Sequence, residues 1–313
     1  MSEKLIPVVS IVGPTASGKT ELSINLAKKF NGEVISADSM QIYKEFDIVT
    51  AKPGVLDLKS VKHYLIGNLS VINEFSVSDF ENFASQYITD INNRGRLPFL
   101  VGGTGLYLDS LLKNIKFESS KNSDENLRNE LNKKENEELF EILKKIDPES
   151  SRKIHINNKK RVIRAIEFFY IAGYPISEQI ENSQKIPSRY DVCKIGLNFK
   201  NRGILYEKIN SRVDKMFDMG IVAEVENVRK LNPGKTASEA IGYKEILNYI
   251  DGNISLNQAK ENLKQATRRY AKRQLTWFRK DEKIHWIYID EFENYQKIVS
   301  KTEEILKKFI SKG

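Results

Sequence analysis

Gly13-Pro14-Thr15-Ala16-Ser17-Gly18-Lys19-Thr20 fits the phosphate-loop (P-loop) pattern G-x-x-x-x-G-K-[S/T] at every constrained position. Ahead of it, Pro7 to Val12 (PVVSIV) reads as a buried strand. Behind it, Glu21 to Phe30 reads as a helix with Leu22, Leu26 and Phe30 along one face. The flanking strand and helix argue against a chance match in a turn. Gly13 and Gly18 allow backbone angles that other residues resist, so successive N–H groups converge at the positive end of a helix. Lys19 adds a mobile positive charge, and the Thr20 hydroxyl can ligate Mg²⁺. The whole loop, Gly13 to Thr20, is the expected diphosphate-binding element. It does not say whether the reacting group is a phosphoryl or something attached to the phosphate.

Working outward, the first hundred residues alternate strand and helix. Strands are expected at Val8 to Val12, Val34 to Ser36, Pro98 to Val101 and, more weakly, near His63 to Ile66. Helices are expected after the phosphate loop, over Ser78 to Asn93 with Ser78 as N-cap, and after Gly105. This alternation predicts an α/β fold, a P-loop doubly wound parallel sheet. The character changes after Lys113. Residues 118–150 are charged, mixed in sign and helix-favouring, and 157–172 carry a further helix pattern. Residues 116–190 therefore read as a helical insertion, with 1–115 and 191–313 as the catalytic core. A strand at Val192 to Phe199 returns to the sheet. C-terminal helices follow at 202–218, 220–231, 238–250 and 256–280, then a short strand at Trp286 to Ile289.

The chain has 313 residues, 40% of them hydrophobic, enough to bury a sizeable core. The single cysteine, Cys193, excludes an internal disulfide, suits a reducing compartment and reads as inert core. The N-terminus shows no signal-peptide pattern, and no apolar run approaches the roughly 18 residues a membrane span needs. The cytoplasm is the expected location. Net charge is +8. Between Arg152 and Arg164 stand six basic residues and no acidic ones, and between Lys260 and Lys283 nine basic and three acidic. Lys260, Lys264, Arg268 and Lys272 recur every fourth residue as a basic stripe on one helix face. The stripe reads as a polyanion surface or as a solvated face, although a solvated face usually mixes signs.

Two strand ends complete the expected site. Asp38 and Ser39 follow the strand at 34–36, on the edge where open α/β sheets place ligands. Asp38 there can hold Mg²⁺ through water, act as a base, or be an N-cap or loop aspartate. After Val101 comes Gly102-Gly103-Thr104-Gly105, where a P-loop hydrolase often carries an Asp that holds Mg²⁺ and orients water. Glycines let the backbone approach a ligand, and Thr104 offers a hydroxyl; a tight turn is the alternative. Arg161 and Arg164 share a helix face and Arg128 lies on the preceding helix pattern, an arrangement suited to nucleic-acid phosphates or to surface ion pairs.

Taken in order, GPTASGKT (13–20), DSMQIY (38–43), DIVTAKP (47–53), PFLVGGTGLY (98–107), KRVIRAIE (160–167), IGYKE (241–245) and AKRQLTWFR (271–279) resemble the tRNA dimethylallyltransferase, or tRNA isopentenyltransferase, family across nearly the whole chain. The resemblance implies transfer of the prenyl group of dimethylallyl diphosphate to N6 of adenosine 37 in a tRNA anticodon loop, with release of pyrophosphate. It implies Mg²⁺ as cofactor, Asp38 as acceptor of the N6 proton and Thr104 as an assisting catalytic residue. It further implies tRNA contacts by Asp38, Ser39, Met40, Gln41, Thr104 and Arg128, and by Lys160, Arg161, Val162, Ile163 and Arg164. The insertion would help clamp the tRNA anticodon stem-loop. Partners are then tRNA and dimethylallyl diphosphate, with no membrane, and the expected state is a monomer. Met40, Gln41 and Tyr43 can flank bases or simply pack.

Val49, Tyr64, Ile156, Asn158, Arg269 and Tyr270 depart from the family pattern, and none is expected to touch the phosphate loop, Asp38 or Thr104. His63 and His155 lack partners at metal-ligand spacing and read as structural or solvated. Three rivals keep the loop but change the chemistry. A small-molecule kinase or an isopentenyltransferase for free adenine nucleotides has no need of the distant basic helices. An RNA-binding P-loop NTPase wants the strand-end acid that is missing after Val101.

Overall fold

The segment ahead of the glycine loop forms β1 (Ile6–Val12), which lies inside a six-stranded sheet ordered β3-β2-β4-β1-β5-β6 in the computed structural model, which describes residues 5–114 and 124–311. The other strands are β2 (Gly32–Ser36), β3 (His63–Tyr64), β4 (Leu97–Gly102), β5 (Tyr190–Asn198) and β6 (Ile284–Tyr288), and every pairing is parallel. A parallel strand is buried on both faces, which is why PVVSIV is apolar throughout rather than alternating. Val12 pairs with Gly102 on one side and Gly196 on the other, and Ser36 pairs with Val101. The chain therefore leaves β1, β2 and β4 at one edge of the sheet, with the three expected site segments side by side.

Helices α1 (Lys19–Lys29), α2 (Val55–Ser60), α3 (Val77–Asn93) and α4 (Gly105–Leu112) connect the first strands. After β5 come α10 (Arg202–Asp218), α11 (Ile221–Lys230), α12 (Lys235–Ser238), α13 (Tyr243–Ile250) and α14 (Leu256–Phe278), and α15 (Tyr295–Ile310) follows β6. Leu22 and Leu26 of α1 and Ile298, Val299 and Leu306 of α15 pack on Val9, Ile11, Phe99, Val101 and Ile195 of the sheet. Cys193 is 4% exposed in the same cluster, and burial pushes its thiol up to about 11, consistent with inert core. At the far end of β2, Glu33 is buried among Arg94, Arg96 and the Tyr64 hydroxyl. The Arg94 hydrogen bonds outweigh burial and hold its carboxyl down at about 2.

Two helix expectations need correction. Ser78 is not the cap of α3. Ser76 and Asp79 form the reciprocal pair, with the Ser76 N–H donating to Asp79 Oδ2 (2.9 Å) and the Asp79 N–H to Ser76 Oγ (3.2 Å), so the helix starts at Val77. The helix expected over 238–250 forms only over Tyr243–Ile250, because α12 ends at Ser238 and 239–242 is a turn that closes on Gly242 (φ 107°), the N-cap of α13. Helices α2, α15 and α9 (below) carry no expectation from the sequence.

The chain divides into two compact units. The first comprises residues 1–75, 80–108 and 189–313 and contains the sheet; the second comprises 76–79 and 109–188. The second holds α5 (Glu125–Lys133), α6 (Asn136–Ile146), α7 (Pro148–Lys153), α8 (Lys159–Ala172) and α9 (Ile176–Gln184). Leu131, Leu139, Leu143, Val162, Ile163 and Ile166 make its core. Asp147 caps α7 and accepts the N–H and hydroxyl of both Ser150 and Ser177, tying α7 to α9. The expected start of the insertion, 116–123, lies outside the described residues.

Candidate active site

The loop after β1 is shaped by close approach. Gly13 sits at φ 145°, and a Cβ there would lie 2.4 Å from the Leu197 carbonyl oxygen on β5. Ser17 Oγ and Lys19 Nζ both donate to the Pro14 carbonyl, at 2.8 and 2.7 Å, so the lysine is folded back along its own loop. Burial and the nearby Arg212 guanidinium lower the Lys19 ammonium to about 7, against the opposing pull of Asp38. One loop over, Asp38 Oδ1 accepts the N–H of Met40 (2.9 Å) and of Gln41 (3.4 Å). The carboxylate thus shapes the turn after β2 as a loop aspartate, and Asp38 also lines the cavity. After β4, the Thr104 N–H donates to the Ala37 carbonyl (3.2 Å) and Thr104 Oγ1 accepts the Ser39 N–H (3.2 Å).

These loops open on a cavity of about 470 Å³ lined by Thr15 to Glu21, Asp38 to Gln41, Val49 to Ala51 and Gly102. Helices α10 and α14 close it with Arg212, Val213 and Met216, and with Leu263, Thr267, Tyr270, Arg273 and Gln274. One end of the cavity is formed by the glycine-rich loop with Lys19 and Arg212. The cavity also has an apolar wall of Val49, Val213, Met216, Ile241 and Leu263. The loop carrying Val49 is held by Glu224 of α11, whose carboxylate accepts the N–H groups of Asp47, Ile48 and Val49 at 2.8–2.9 Å.

Three contributors escape sequence reading. Arg212 is half-buried, donates from Nη2 to the Thr50 carbonyl at 3.4 Å, and has a buried Nε with no partner among the described residues. Burial lowers its pKa against the pull of Asp38. Gln274, 5% exposed, accepts the Thr15 N–H at Oε1 (2.9 Å) and donates from Nε2 to the Gly103 carbonyl (3.1 Å). It thus ties the phosphate loop to the turn after β4, and a Cβ on Gly103 would meet its Nε2 at 1.9 Å. Tyr270 lines the same cavity, and burial pushes its phenol well up, with nearby Asp38 adding to the rise. Of the departures from the family pattern, Val49 and Tyr270 line the cavity.

Residues 41–281 match a family model described as IPP transferase. A tRNA dimethylallyltransferase of Acetivibrio thermocellus is 49% identical over 308 residues, spanning 96% of this chain and 98% of that one. The chain belongs to the IPP transferase family. The crystal structure of the full-length tRNA isopentenylpyrophosphate transferase from Bacillus halodurans is similar at TM-score 0.74 and 40% identity, over 98% of this chain and 97% of that one. A eukaryotic dimethylallyltransferase, described in crystallographic snapshots as acting on tRNA, is similar at TM-score 0.81 and 29% identity, over 96% of this chain and 80% of that one.

In this IPP transferase the remaining expected residues lie in the second unit. Arg128 on α5 makes two 2.7 Å hydrogen bonds, from Nε and Nη2, to the buried carboxylate of Glu167 on α8, so two of its five N–H donors serve an ion pair. Lys160 and Arg161 are exposed on α8, and Arg164 lies 3.9 Å from Glu167. Val162 and Ile163, expected at a tRNA surface, are 1% and 4% exposed and pack against Leu131, Leu139 and Leu143. Their side chains are core, because they occupy the inward face of α8. Tyr43 is likewise packing, fully buried edge-on to Phe46.

The basic stripe on α14 is also docked rather than free at its first three positions. Lys260 and Lys264 both pair with Asp214, and Arg268 donates to Asn210 (2.6 Å), so the stripe clamps α14 to α10. His63 Nδ1 is bonded to the Val61 carbonyl, a structural role. No helix among the described residues is long and apolar enough to cross a membrane.

Proposed function

We propose that this chain transfers the dimethylallyl group of dimethylallyl diphosphate to N6 of adenosine 37 in the anticodon loop of tRNA and releases pyrophosphate. The observation that carries this reading is the cavity itself. Its phosphate loop suits a diphosphate, and the adjoining wall of Val49, Val213, Met216, Ile241 and Leu263 suits a small branched hydrocarbon rather than a sugar or a water. Lys19 and Arg212 stabilise charge as it gathers on the departing pyrophosphate. The bond from the prenyl carbon to the diphosphate oxygen breaks and the bond to N6 forms, and Asp38 accepts the N6 proton. The adenine must leave its stack to enter, and its amine is a weak nucleophile, so orientation by the Asp38 to Gln41 turn and by Thr104 contributes more than prior deprotonation.

Mg²⁺ fits this site. The Thr20 hydroxyl and the Asp38 carboxylate line one cavity, and Mg²⁺ characteristically takes a few protein oxygens together with phosphate oxygens and waters. Bound there, it would neutralise diphosphate charge. Lys160, Arg161 and Arg164 offer cations for tRNA phosphates. The enzyme works as a monomer in the cytoplasm, where its tRNA substrate resides.

The test is to incubate the protein with dimethylallyl diphosphate, Mg²⁺ and an unmodified tRNA transcript, then digest the RNA and weigh its nucleosides. One adenosine heavier by a dimethylallyl group bears out the proposal. Modification of added AMP but not tRNA, or ATP hydrolysis without transfer, overturns it in favour of a nucleotide prenyltransferase or an RNA-binding NTPase.

A further inference from the structure

The apolar wall of the cavity stands on supports of two kinds. Val213 and Met216 belong to α10 and Leu263 to α14, and regular helices fix all three. Val49 and Ile241 belong to non-helical segments, 47–51 and 239–242, so other contacts must hold them.

A carboxylate does so in each case. Glu224 on α11 takes three successive N–H groups: Oε2 accepts from Asp47 (2.9 Å) and Ile48 (2.8 Å), and Oε1 accepts from Val49 (2.8 Å). Consecutive amides converging on one anion make a nest, and hydrogen bonds to a charged acceptor are the stronger kind. Glu245 on α13 accepts the Gly242 N–H at Oε2 (2.8 Å). The two segments meet. A Cβ on Gly242 would lie 3.5 Å from Val49 Cγ1 and 3.7 Å from both Ile221 Cδ1 and Leu263 Cδ1. Val49, 7% exposed, is therefore seated against the Gly242 turn as well as lining the cavity.

We infer that Glu224 is a positioning residue that sets the depth of the prenyl pocket, and that through Val49 it selects a five-carbon allylic diphosphate over longer ones. Glu224 acts from behind the lining. Without it three N–H groups lose their acceptor, the 47–49 backbone relaxes, and the wall yields where a second isoprenoid unit would need room. The inference rests on the proposed transfer reaction and adds to it a residue that acts only through Val49.

The experiment measures kcat/KM on tRNA for dimethylallyl diphosphate and for geranyl diphosphate, which is one isoprenoid unit longer. The full-length proteins are wild type, Glu224→Ala, Glu224→Gln and Val49→Ala. The ratio of the two values cancels any loss of folded protein. It also cancels any shift of Arg212, which donates to the Thr50 carbonyl of the same loop, because both substrates carry the same diphosphate. Wild type should prefer the shorter substrate by roughly 100-fold or more. Glu224→Ala and Val49→Ala should each lower that preference at least about tenfold, mainly through a lower KM for geranyl diphosphate. Glu224→Gln keeps an acceptor for Asp47 and Ile48 but turns an NH2 towards the Val49 N–H, so its preference should fall in between. An unchanged preference in Glu224→Ala would overturn the inference alone, even if both rates dropped together, as would a wild type that takes the two diphosphates equally. A wild type that transfers neither prenyl group would overturn the reaction reading, and this inference with it.

Discussion

Arg128 grips the carboxylate of Glu167, which is 0% exposed, through two parallel hydrogen bonds from Nε and Nη2. A planar guanidinium is suited to such a fork, and the pair joins α5 to α8 inside the second unit. A residue with the family's position for a tRNA contact is thus first a structural one. Arg128→Ala should leave the buried carboxylate with only Arg164 nearby and destabilise the unit by about 2 to 4 kcal/mol. That is below the loss for a fully buried pair, because Arg128 is a third open to solvent. Denaturant unfolding reads the loss directly. Arg161→Ala, on an exposed position of α8, should leave stability unchanged while weakening tRNA binding and flattening its salt dependence. Equal stability in wild type and Arg128→Ala would remove the structural role.

Lys19 gives the site a proton linkage. Burial first, then Arg212, bring its ammonium to about 7 in the empty protein. A diphosphate beside it favours the charged form, so binding raises that pKa and takes up a proton wherever the free lysine is neutral. At about pH 8, calorimetry in buffers of different ionisation enthalpy should find that pyrophosphate binding takes up as much as about one proton more in wild type than in Lys19→Met. That variant controls for protons carried by pyrophosphate itself. Near about pH 6, where Lys19 is already charged, the difference should vanish. A difference of zero at both values would contradict the shift.

Arg212 should show a trade between stability and binding. It is a half-buried cation with a buried, unpartnered Nε and a long contact to the Thr50 carbonyl, an arrangement that suits an incoming anion. Arg212→Met removes the desolvated charge, so the empty protein should gain about 1 to 2 kcal/mol. The same change should raise KM for the diphosphate substrate at least about tenfold, since a charge-assisted contact is gone. Thermal melts with and without pyrophosphate separate the two effects. A variant less stable than wild type when empty would show that the guanidinium is structural.

Glu33 predicts the acid limb of stability. Its folded pKa, held down by Arg94 first, is about 2 against an ordinary 4.5. A depressed carboxyl contributes stability above its unfolded pKa and loses it as pH falls through the folded one. Glu33→Gln should therefore cost about 2 kcal/mol at neutral pH, after allowing for solvent at the two arginines. The gap to wild type should shrink between pH 4.5 and 2. A gap that stays constant across that window would mean the loss is packing.

The phosphate loop, Asp38 and Thr104 were legible because each follows a strand, and parallel strands deliver their C-terminal ends to one edge. Helices hid what remained. Arg212, Tyr270 and Gln274 sit among residues of the same types on α10 and α14, and periodicity tells which face a side chain takes but not what covers that face. The stripe of Lys260, Lys264 and Arg268 shows the same limit: the spacing was right, yet Asp214 and Asn210 lie against it. Val162 and Ile163 fell inside a motif whose charged neighbours face outward while they face the core. The turn at 239–242 was missed because the apolar pattern of 238–250 continues across it.

The most direct test of the central claim is transfer of label from radiolabelled dimethylallyl diphosphate to unmodified tRNA with Mg²⁺, comparing wild type with Asp38→Ala and Thr104→Ala. The account predicts RNA-bound label with wild type and a fall of roughly a hundredfold or more in each variant, with pyrophosphate binding retained. Label reaching RNA equally well in both variants would contradict the assigned site, and no label on RNA with wild type would contradict the reaction.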